Sequence, residues 1–236
     1  MTHVLAFDTA TDVVTVAVGR DGVPVATVEV DSARTHAEQL VPAVRRCATE
    51  AGVALDRLDA IAVGVGPGRF TGLRVGVTTA KVMADALGIP VIGLSTLEVL
   101  AAPWVAPDRE VVSVIDARRR EVYWARYRTG GPTGPVAAAP EAVAPPAEVA
   151  AVVAGLGPSA WVVGDGALRH RDLFAATGAH LADAGAAVPG AAALVALGTA
   201  RLASAPAGSA RALVPVYLRE SDAAINWEQA ARGPST

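Results

Sequence analysis

Residues 64–76 read GVGPGRFTGLRVG and follow a short apolar run, Ala60–Val63. From Phe70 to Leu87, apolar residues recur at helical spacing, so the glycine-rich run predicts a turn from a strand into a helix. Glycine at such a turn lets the backbone of a neighbour, or a ligand, come close. The residues expected to form the turn are Gly66, Gly68, Arg69 and Gly72.

This glycine-rich run has two interpretations, a phosphate-binding loop and a packing contact. It lacks the Gly-x-x-x-x-Gly-Lys-Ser/Thr pattern of a P-loop, and its glycines do not have the spacing of a dinucleotide-binding fingerprint. Gly68, Gly72 and Gly76 instead recur every four residues, which places small residues on one helix face. We therefore favour packing. Gly68 is expected to need a glycine conformation or a close backbone approach, and the Arg69 side chain is expected to point out of the turn.

The composition is that of a globular protein without a global attraction to nucleic acid. Of 236 residues, 52% are hydrophobic, enough for a sizeable core, and the net charge is -3. Cys47 is the only cysteine, so no intramolecular disulfide can form, which suits a reducing cytoplasm. The chain start lacks a signal-peptide pattern, and the most apolar late segment, Ala186–Ala203, is interrupted by Pro189, Gly190 and Arg201. We expect a cytoplasmic protein that does not enter a membrane.

Strand and helix patterns alternate along the first hundred residues in the order β-β-β-α-β-α-β-α. Pro103 and Pro107 mark a boundary. Beyond it an apolar strand ends at Asp116, as the first strand of the chain ends at Asp8. The segment Gly130–Pro146 is predicted to be a loop or an irregular edge. Repeated β-α units predict an α/β protein. Two such halves resemble a two-lobed actin-like fold of the sugar-kinase type, with duplicated mixed-sheet lobes.

The helices predicted over Thr35–Ala51 and Phe70–Leu87 carry more apolar residues than one sheet buries. A helix packed on a single sheet needs one apolar stripe and keeps a polar face. The second helix has one stripe that contains Leu73 and Val77 and another that contains Val75 and Val82. Either a second layer of this chain or another protein chain covers the outer side of these helices.

Asp8, Thr9 and Asp116 are candidates for a weak nucleotide site, because aspartate-ended strands flank the nucleotide cleft of actin-like ATPases. The turns that follow read Thr-Ala-Thr-Asp and Ala-Arg-Arg-Arg-Glu, and neither contains the glycines that cradle phosphate. A strand-end aspartate that caps a turn is the better explanation at both places. The arginine run 118–120 either contacts RNA phosphate or forms a solvated turn, which is the usual role of such a run.

Several segments, taken in order, resemble the bacterial TsaB (YeaZ) family, and the likeness extends over most of the chain. Arg69 departs from the pattern, because the family usually has a small serine there. The family is a paralogue of TsaD, the catalytic subunit that transfers a threonylcarbamoyl group to adenosine 37 of tRNA. The segments that carry the resemblance are Leu5–Thr9, His36–Pro42, residues 64–76, Asp116–Tyr123 and Pro215–Arg219.

The resemblance implies a subunit without catalytic residues, metal or cofactor. After the fifth strand, TsaD-like enzymes carry a His-x-x-x-His metal motif, and Thr96 and Leu100 stand at its two histidine positions. Leucine cannot ligate a metal and threonine is a poor ligand. Weak nucleotide binding stays open. The alternatives are an actin-like ATP-dependent enzyme, either an ATPase or a kinase, and a metallopeptidase-like enzyme.

The resemblance also implies the partners and the domains. In the family the two long helices of the first lobe pack against another chain, so we expect binding to a TsaD-like catalytic subunit in a complex with a TsaE-like ATPase. In isolation a homodimer is expected, and tRNA is reached only through the complex. The first lobe is expected over residues 1–103, joined by a segment of about 212–236, and the second over 104–211. The expected interface residues are Leu40, Val44, Leu73, Arg74, Val77 and Lys81.

Overall fold

A computed structural model describes residues 1–31, 35–131, 133–204 and 210–219 of the chain. The first of its two mixed sheets has the order β3-β2-β1-β4-β5. In it β2 is antiparallel to both β1 and β3, whereas β4 is parallel to β1 and to β5. Its strands are β1 (His3–Asp8), β2 (Val13–Arg20), β3 (Val23–Asp31), β4 (Ala60–Gly66) and β5 (Val91–Ser95).

The second sheet repeats this arrangement. Its strands are β6 (Val111–Arg118), β7 (Glu121–Arg128), β8 (Val136–Ala144), β9 (Trp161–Val163) and β10 (His180–Leu181). They lie in the order β8-β7-β6-β9-β10, with β7 antiparallel to both neighbours and β9 parallel to both of its own. The two lobes thus share one topology, in which β1 and β6 are equivalent central strands. The predicted α/β class and the two-lobed actin-like fold are confirmed.

Seven α-helices connect and cover these strands in the described part of the chain. The two long helices end at Gly52 and Gly88, each with a φ of 65°, the left-handed conformation that glycine adopts at a helix end. Ser95 caps the third helix by accepting a hydrogen bond from the N–H of Glu98 at 3.3 Å. The helices are α1 (His36–Ala51), α2 (Phe70–Leu87), α3 (Thr96–Ala101), α4 (Pro146–Leu156), α5 (Asp165–Arg169), α6 (Arg171–Ala175) and α7 (Ala191–Ser204).

Helix α7 covers the first sheet, although its position in the chain suggested the second lobe. Leu194 and Val195 are buried in one cluster with Val4 and Ala62 of the first sheet. Gly198 lies so close to Ala62 that a Cβ there would not fit. The expectation that residues 104–211 form the second lobe is therefore wrong at α7, because its apolar side packs on the face of the first sheet opposite α1 and α2.

The apolar character of this region is explained by the same packing. By length and composition alone, the stretch Ala184–Ser204 is long and apolar enough to cross a membrane. Its helical part, α7, is a core helix of the first lobe, and core helices are apolar for that reason.

The segment Gly130–Pro146, expected as a loop or an irregular edge, contains the edge strand β8. Its pairing with β7 is interrupted by two register shifts. Pro140 lies inside the strand. Proline has no backbone N–H, and it is tolerated at the edge of a sheet because no further strand needs a donor at that position.

The last described segment, residues 210–219, runs between the two lobes. Leu213 is buried in the core under α1 and α2, and the N–H of Val216 donates to the carbonyl of Val65 at 2.8 Å. Leu218 packs against the core of the second lobe, and Arg219 donates to Glu121 of β7 at 3.0 Å. Residues 220–236, included in the expected joining segment, lie outside the described residues.

Candidate partner surface and the cleft between the lobes

The turn after β1 packs directly on the first turns of α2. The N–H of Arg69 donates to the carbonyl of Ala10, and the Thr9 hydroxyl donates to the carbonyl of Gly72, both at 2.8 Å. A Cβ on Gly68 or Gly72 would lie closer than 3.0 Å to the backbone of Ala10 or Thr9. These two glycines therefore allow a close backbone approach rather than an unusual backbone conformation.

Two neighbouring glycines complete the turn in different ways. Gly66 has a φ of 101°, which L side chains rarely adopt, so the conformational requirement falls on Gly66 and not on Gly68. Gly76 faces the Thr9 hydroxyl, and a Cβ there would overlap with it. The glycine-rich run thus serves helix packing.

The start of α1 is attached to the same turn. His36 is buried, and its ring nitrogen Nε2 lies 2.8 Å from the carbonyl oxygen of Thr11, to which a protonated Nε2 donates. The first turns of both long helices are therefore positioned by one short segment, residues 8–12. This assigns a structural role to the single histidine of α1.

The expected nucleotide ligands Asp8 and Thr9 have their polar side-chain atoms occupied within the chain. Asp8 is fully buried. Its Oδ1 accepts from the N–H of Ala10 at 2.6 Å, and its Oδ2 accepts from the Thr96 hydroxyl at 2.8 Å. Burial raises the pKa of Asp8, and these two hydrogen bonds oppose that rise. Asp8 thereby links β1 to α3.

Both positions that the resemblance relates to a metal motif are buried. The Thr96 hydroxyl is hydrogen-bonded to Asp8, and Leu100 is only 2% exposed because it is buried in the core of the second lobe. Within residues 1–31, 35–131, 133–204 and 210–219, no group of three or more histidine, cysteine, aspartate or glutamate side chains is arranged to hold a metal ion.

Asp116 belongs to a network of ion pairs that crosses the cleft between the lobes. Its Oδ2 lies 3.3 Å from Arg118 and 3.6 Å from Arg169. Arg118 also approaches Asp12 of the first lobe at 3.7 Å, and Arg69 forms a direct ion pair with Asp12. The expectation that the Arg69 side chain points freely out of its turn is wrong, because Asp12 binds it.

Four of the expected interface residues face the core instead. Leu40 and Leu73 are fully buried, and Val44 and Val77 are 2% and 3% exposed. The expectation that these four form the outer surface is wrong, because the stripe to which they belong is the one that packs on the first sheet.

The other two expected interface residues, Arg74 and Lys81, contact the last described segment of the same chain. The Arg74 guanidinium lies 3.9 Å from the centre of the Phe70 ring and donates to the hydroxyl of Tyr217 at 3.2 Å. Lys81 donates to the carbonyl of Leu213 at 3.1 Å. Part of α2 is therefore covered by residues 210–219.

The exposed face of the two helices, which we call the outer helix face, carries apolar residues at Val41 of α1 and Val82 of α2. They are 45% and 62% exposed. Val82 belongs to the second apolar stripe of α2, which the sequence shows. Val41 is apolar in the sequence as well, but neither residue is among the expected interface residues. The other exposed residues of the two helices are Ala37, Glu38, Pro42, Arg45, Arg46, Thr49, Glu50, Thr71, Arg74, Thr78, Asp85 and Ala86.

A family model described as "TsaD: tRNA N6-adenosine threonylcarbamoyltransferase" matches residues 28–227, most of the chain. The chain belongs to the TsaD family. Its similarity to TsaB (YeaZ) proteins, expected from the motifs, is confirmed by sequence and by structure. The solved structure named "YeaZ from Pseudomonas aeruginosa" is 33% identical to this chain. The match covers 92% of this chain and 100% of that one, with a TM-score of 0.76.

Two sequence relatives extend this result. The Escherichia coli protein named "tRNA threonylcarbamoyladenosine biosynthesis protein TsaB" is 40% identical over 128 residues, 53% of this chain and 55% of its own. An uncharacterized Mycobacterium tuberculosis protein is 40% identical over 223 residues, 93% of each chain. The matched region thus spans about half the length of the relative named TsaB and nearly all of the mycobacterial one.

The packing role of Gly72 predicts a large effect of one added methyl group. Gly72→Ala should lower the free energy of unfolding by about 1–3 kcal/mol, because the new Cβ meets the backbone of Thr9, which cannot move aside. Gly155→Ala in α4 is the control, since open space surrounds that position and alanine should raise helix stability by up to about 1 kcal/mol. Chemical denaturation measures both, and equal effects would contradict the packing role.

The buried Asp8 predicts a pH-dependent contribution to stability. Because its pKa is raised in the folded protein, the folded state binds this proton more tightly than the unfolded state. The contribution is fully present below the ordinary pKa of 3.8 and is lost as pH rises through the raised value. The difference in unfolding free energy between wild type and Asp8→Asn should therefore decrease from acid to neutral pH. Urea denaturation across this range tests it, and a pH-independent difference would contradict the assignment.

Proposed function

We propose that the protein is a non-catalytic subunit required to form the threonylcarbamoyl group on adenosine 37 of tRNAs. It acts in the cytoplasm by binding and stabilising a TsaD-type catalytic subunit, in a complex that includes a TsaE-type ATPase. The names of the Escherichia coli, Bacillus subtilis and Haemophilus influenzae relatives support the pathway. The observation that carries the non-catalytic role is the burial of Thr96 and Leu100 at the two positions of the metal motif.

The turn after β1 supports the same role. In an enzyme that uses ATP, the groups at the end of the central strand must be free to hold phosphate or a metal ion. Here the Asp8 carboxylate accepts two hydrogen bonds, and the Thr9 hydroxyl donates one to the carbonyl of Gly72 in α2. These interactions stabilise the first lobe and engage the side-chain oxygens of Asp8 and Thr9 within it, which weighs against phosphoryl chemistry by this chain.

The outer helix face is the surface we propose for the TsaD-type subunit. Val41 and Val82 offer apolar area on two helices that contact each other. Exposed arginine and acidic residues surround them, as at the rim of a protein interface. In the absence of the partner, the same face is proposed to form a homodimer.

A charge placed on the outer helix face should prevent association with the partner. Val82→Asp and Val41→Asp should each weaken binding to the TsaD-type subunit of the same organism at least about tenfold, because an unpaired carboxylate in an apolar interface costs more than about 1.4 kcal/mol. Both positions are exposed, so folding should be unaffected. Isothermal titration calorimetry measures the affinity.

Val23→Asp provides the matched control. Val23 is 63% exposed, as Val82 is at 62%, but it lies at the start of the edge strand β3. This variant should bind like the wild type. Unchanged binding by both outer-face variants would show that the partner surface lies elsewhere, and no binding by the wild-type chain would contradict the proposed function.

A further inference from the structure

The hairpin between β6 and β7 turns through Arg119 and Arg120, whose φ values are 52° and 63°. A two-residue hairpin with positive φ at both central positions favours Asn-Gly or Asp-Gly. The chain follows this preference at its other tight hairpin, between β2 and β3, where Asp21 and Gly22 have φ values of 51° and 84°. The same chain therefore places two arginines where it elsewhere uses the residues that the turn prefers.

Packing does not explain this choice, because Arg119 and Arg120 are both exposed. Arg118, directly before them, also has a left-handed φ of 62°. Three consecutive non-glycine residues in this conformation are strained, and such strain concentrates where a function requires it. The turn does not favour arginine, so the arginine side chains themselves indicate a functional role for this hairpin.

The surroundings of the hairpin are locally positive in a chain whose net charge is -3. The hairpin and the ion pairs beside it contain six arginines, residues 69, 118, 119, 120, 169 and 219, against four acidic residues, Asp12, Asp116, Glu121 and Asp165. Positive charge therefore exceeds negative charge at this one edge of the cleft.

We propose that the arginine hairpin, residues 118–120, binds phosphate groups of tRNA when the chain is part of the threonylcarbamoylation complex. This inference rests on the proposed function. Guanidinium groups bind phosphate oxygens with paired hydrogen bonds. An exposed hairpin tip suits the phosphates of an extended RNA backbone. The cradle that a bound nucleotide would need is not available at Asp8 and Thr9, whose polar atoms are engaged within the first lobe.

The double variant Arg119→Asn/Arg120→Gly separates the turn from the charge. It installs the residues that the turn prefers, so its thermal unfolding midpoint should equal or exceed that of the wild type. Binding of an unmodified tRNA transcript to the assembled complex is measured by fluorescence anisotropy at several salt concentrations. The variant should bind at least about tenfold more weakly at 0.1 M salt, and the slope of log K against log salt should fall by roughly 1 to 2.

The control variant Arg57→Asn/Arg128→Asn removes the same charge from two exposed arginines, one in the first lobe and one at the end of β7 opposite the hairpin. It should change the tRNA affinity by no more than about twofold, because charges beyond a Debye length are screened. An equal loss in the control, or unchanged binding by the hairpin variant, would overturn the inference. So would a hairpin variant that loses ATP binding while its tRNA binding is unchanged, since the site would then take a nucleotide.

Assembly with the TsaD-type subunit is verified first, by size-exclusion chromatography. The hairpin variant should assemble normally, so a loss of tRNA binding cannot come from a loss of the complex. If the wild-type chain itself does not assemble, the proposed function fails. In that case the same tRNA titration is carried out with the isolated chain. A tenfold loss of affinity in the hairpin variant but not in the control would support the hairpin as a phosphate-binding site, and unchanged binding would overturn it.

Discussion

The contact between the turn at residues 8–12 and the glycines that begin α2 determines the arrangement of the first lobe. Gly68 and Gly72 let the backbones approach, and the Thr9 hydroxyl joins them by a hydrogen bond. The same turn holds α1 through His36 and α3 through the buried Asp8. Three helices are therefore positioned by one short segment, residues 8–12. A side chain added at Gly72 would have to shift α2, because the atoms that it meets belong to the backbone of Thr9 and not to a side chain that can change its rotamer.

This constraint explains how an actin-like fold can serve as a binding partner. In such a fold, the turns after the two central strands face the cleft between the lobes, where an enzyme would bind its nucleotide. Here the first turn is engaged in packing, and across the cleft Asp12 approaches Arg118 of the second lobe. The helices attached to this turn carry the outer helix face that we propose for a partner, and the arginine hairpin lies at the edge of the cleft.

Local features were predictable from the sequence, and features that depend on tertiary contacts were not. The bounds of α1 and α2 followed from apolar periodicity and from the glycines that end them, and the packing role of the glycines followed from their spacing. Periodicity shows that a helix has two apolar stripes, but not which one faces the sheet, so Leu40, Val44, Leu73 and Val77 were assigned to the wrong side. The ion pair of Arg69 with Asp12 joins residues 57 positions apart, and no local pattern indicates it. The sheet that α7 covers is likewise decided by the fold of the whole chain.

The central claim is that the outer helix face, and not the cleft, is the working surface toward the catalytic partner. Hydrogen–deuterium exchange of the chain, free and in complex with the TsaD-type subunit, tests this claim most directly. The account predicts slower exchange in His36–Ala51 and Phe70–Leu87, with little change in the turn at residues 8–12, whose polar groups are already engaged. Protection confined to that turn and the cleft, with unchanged exchange in both helices, would contradict it.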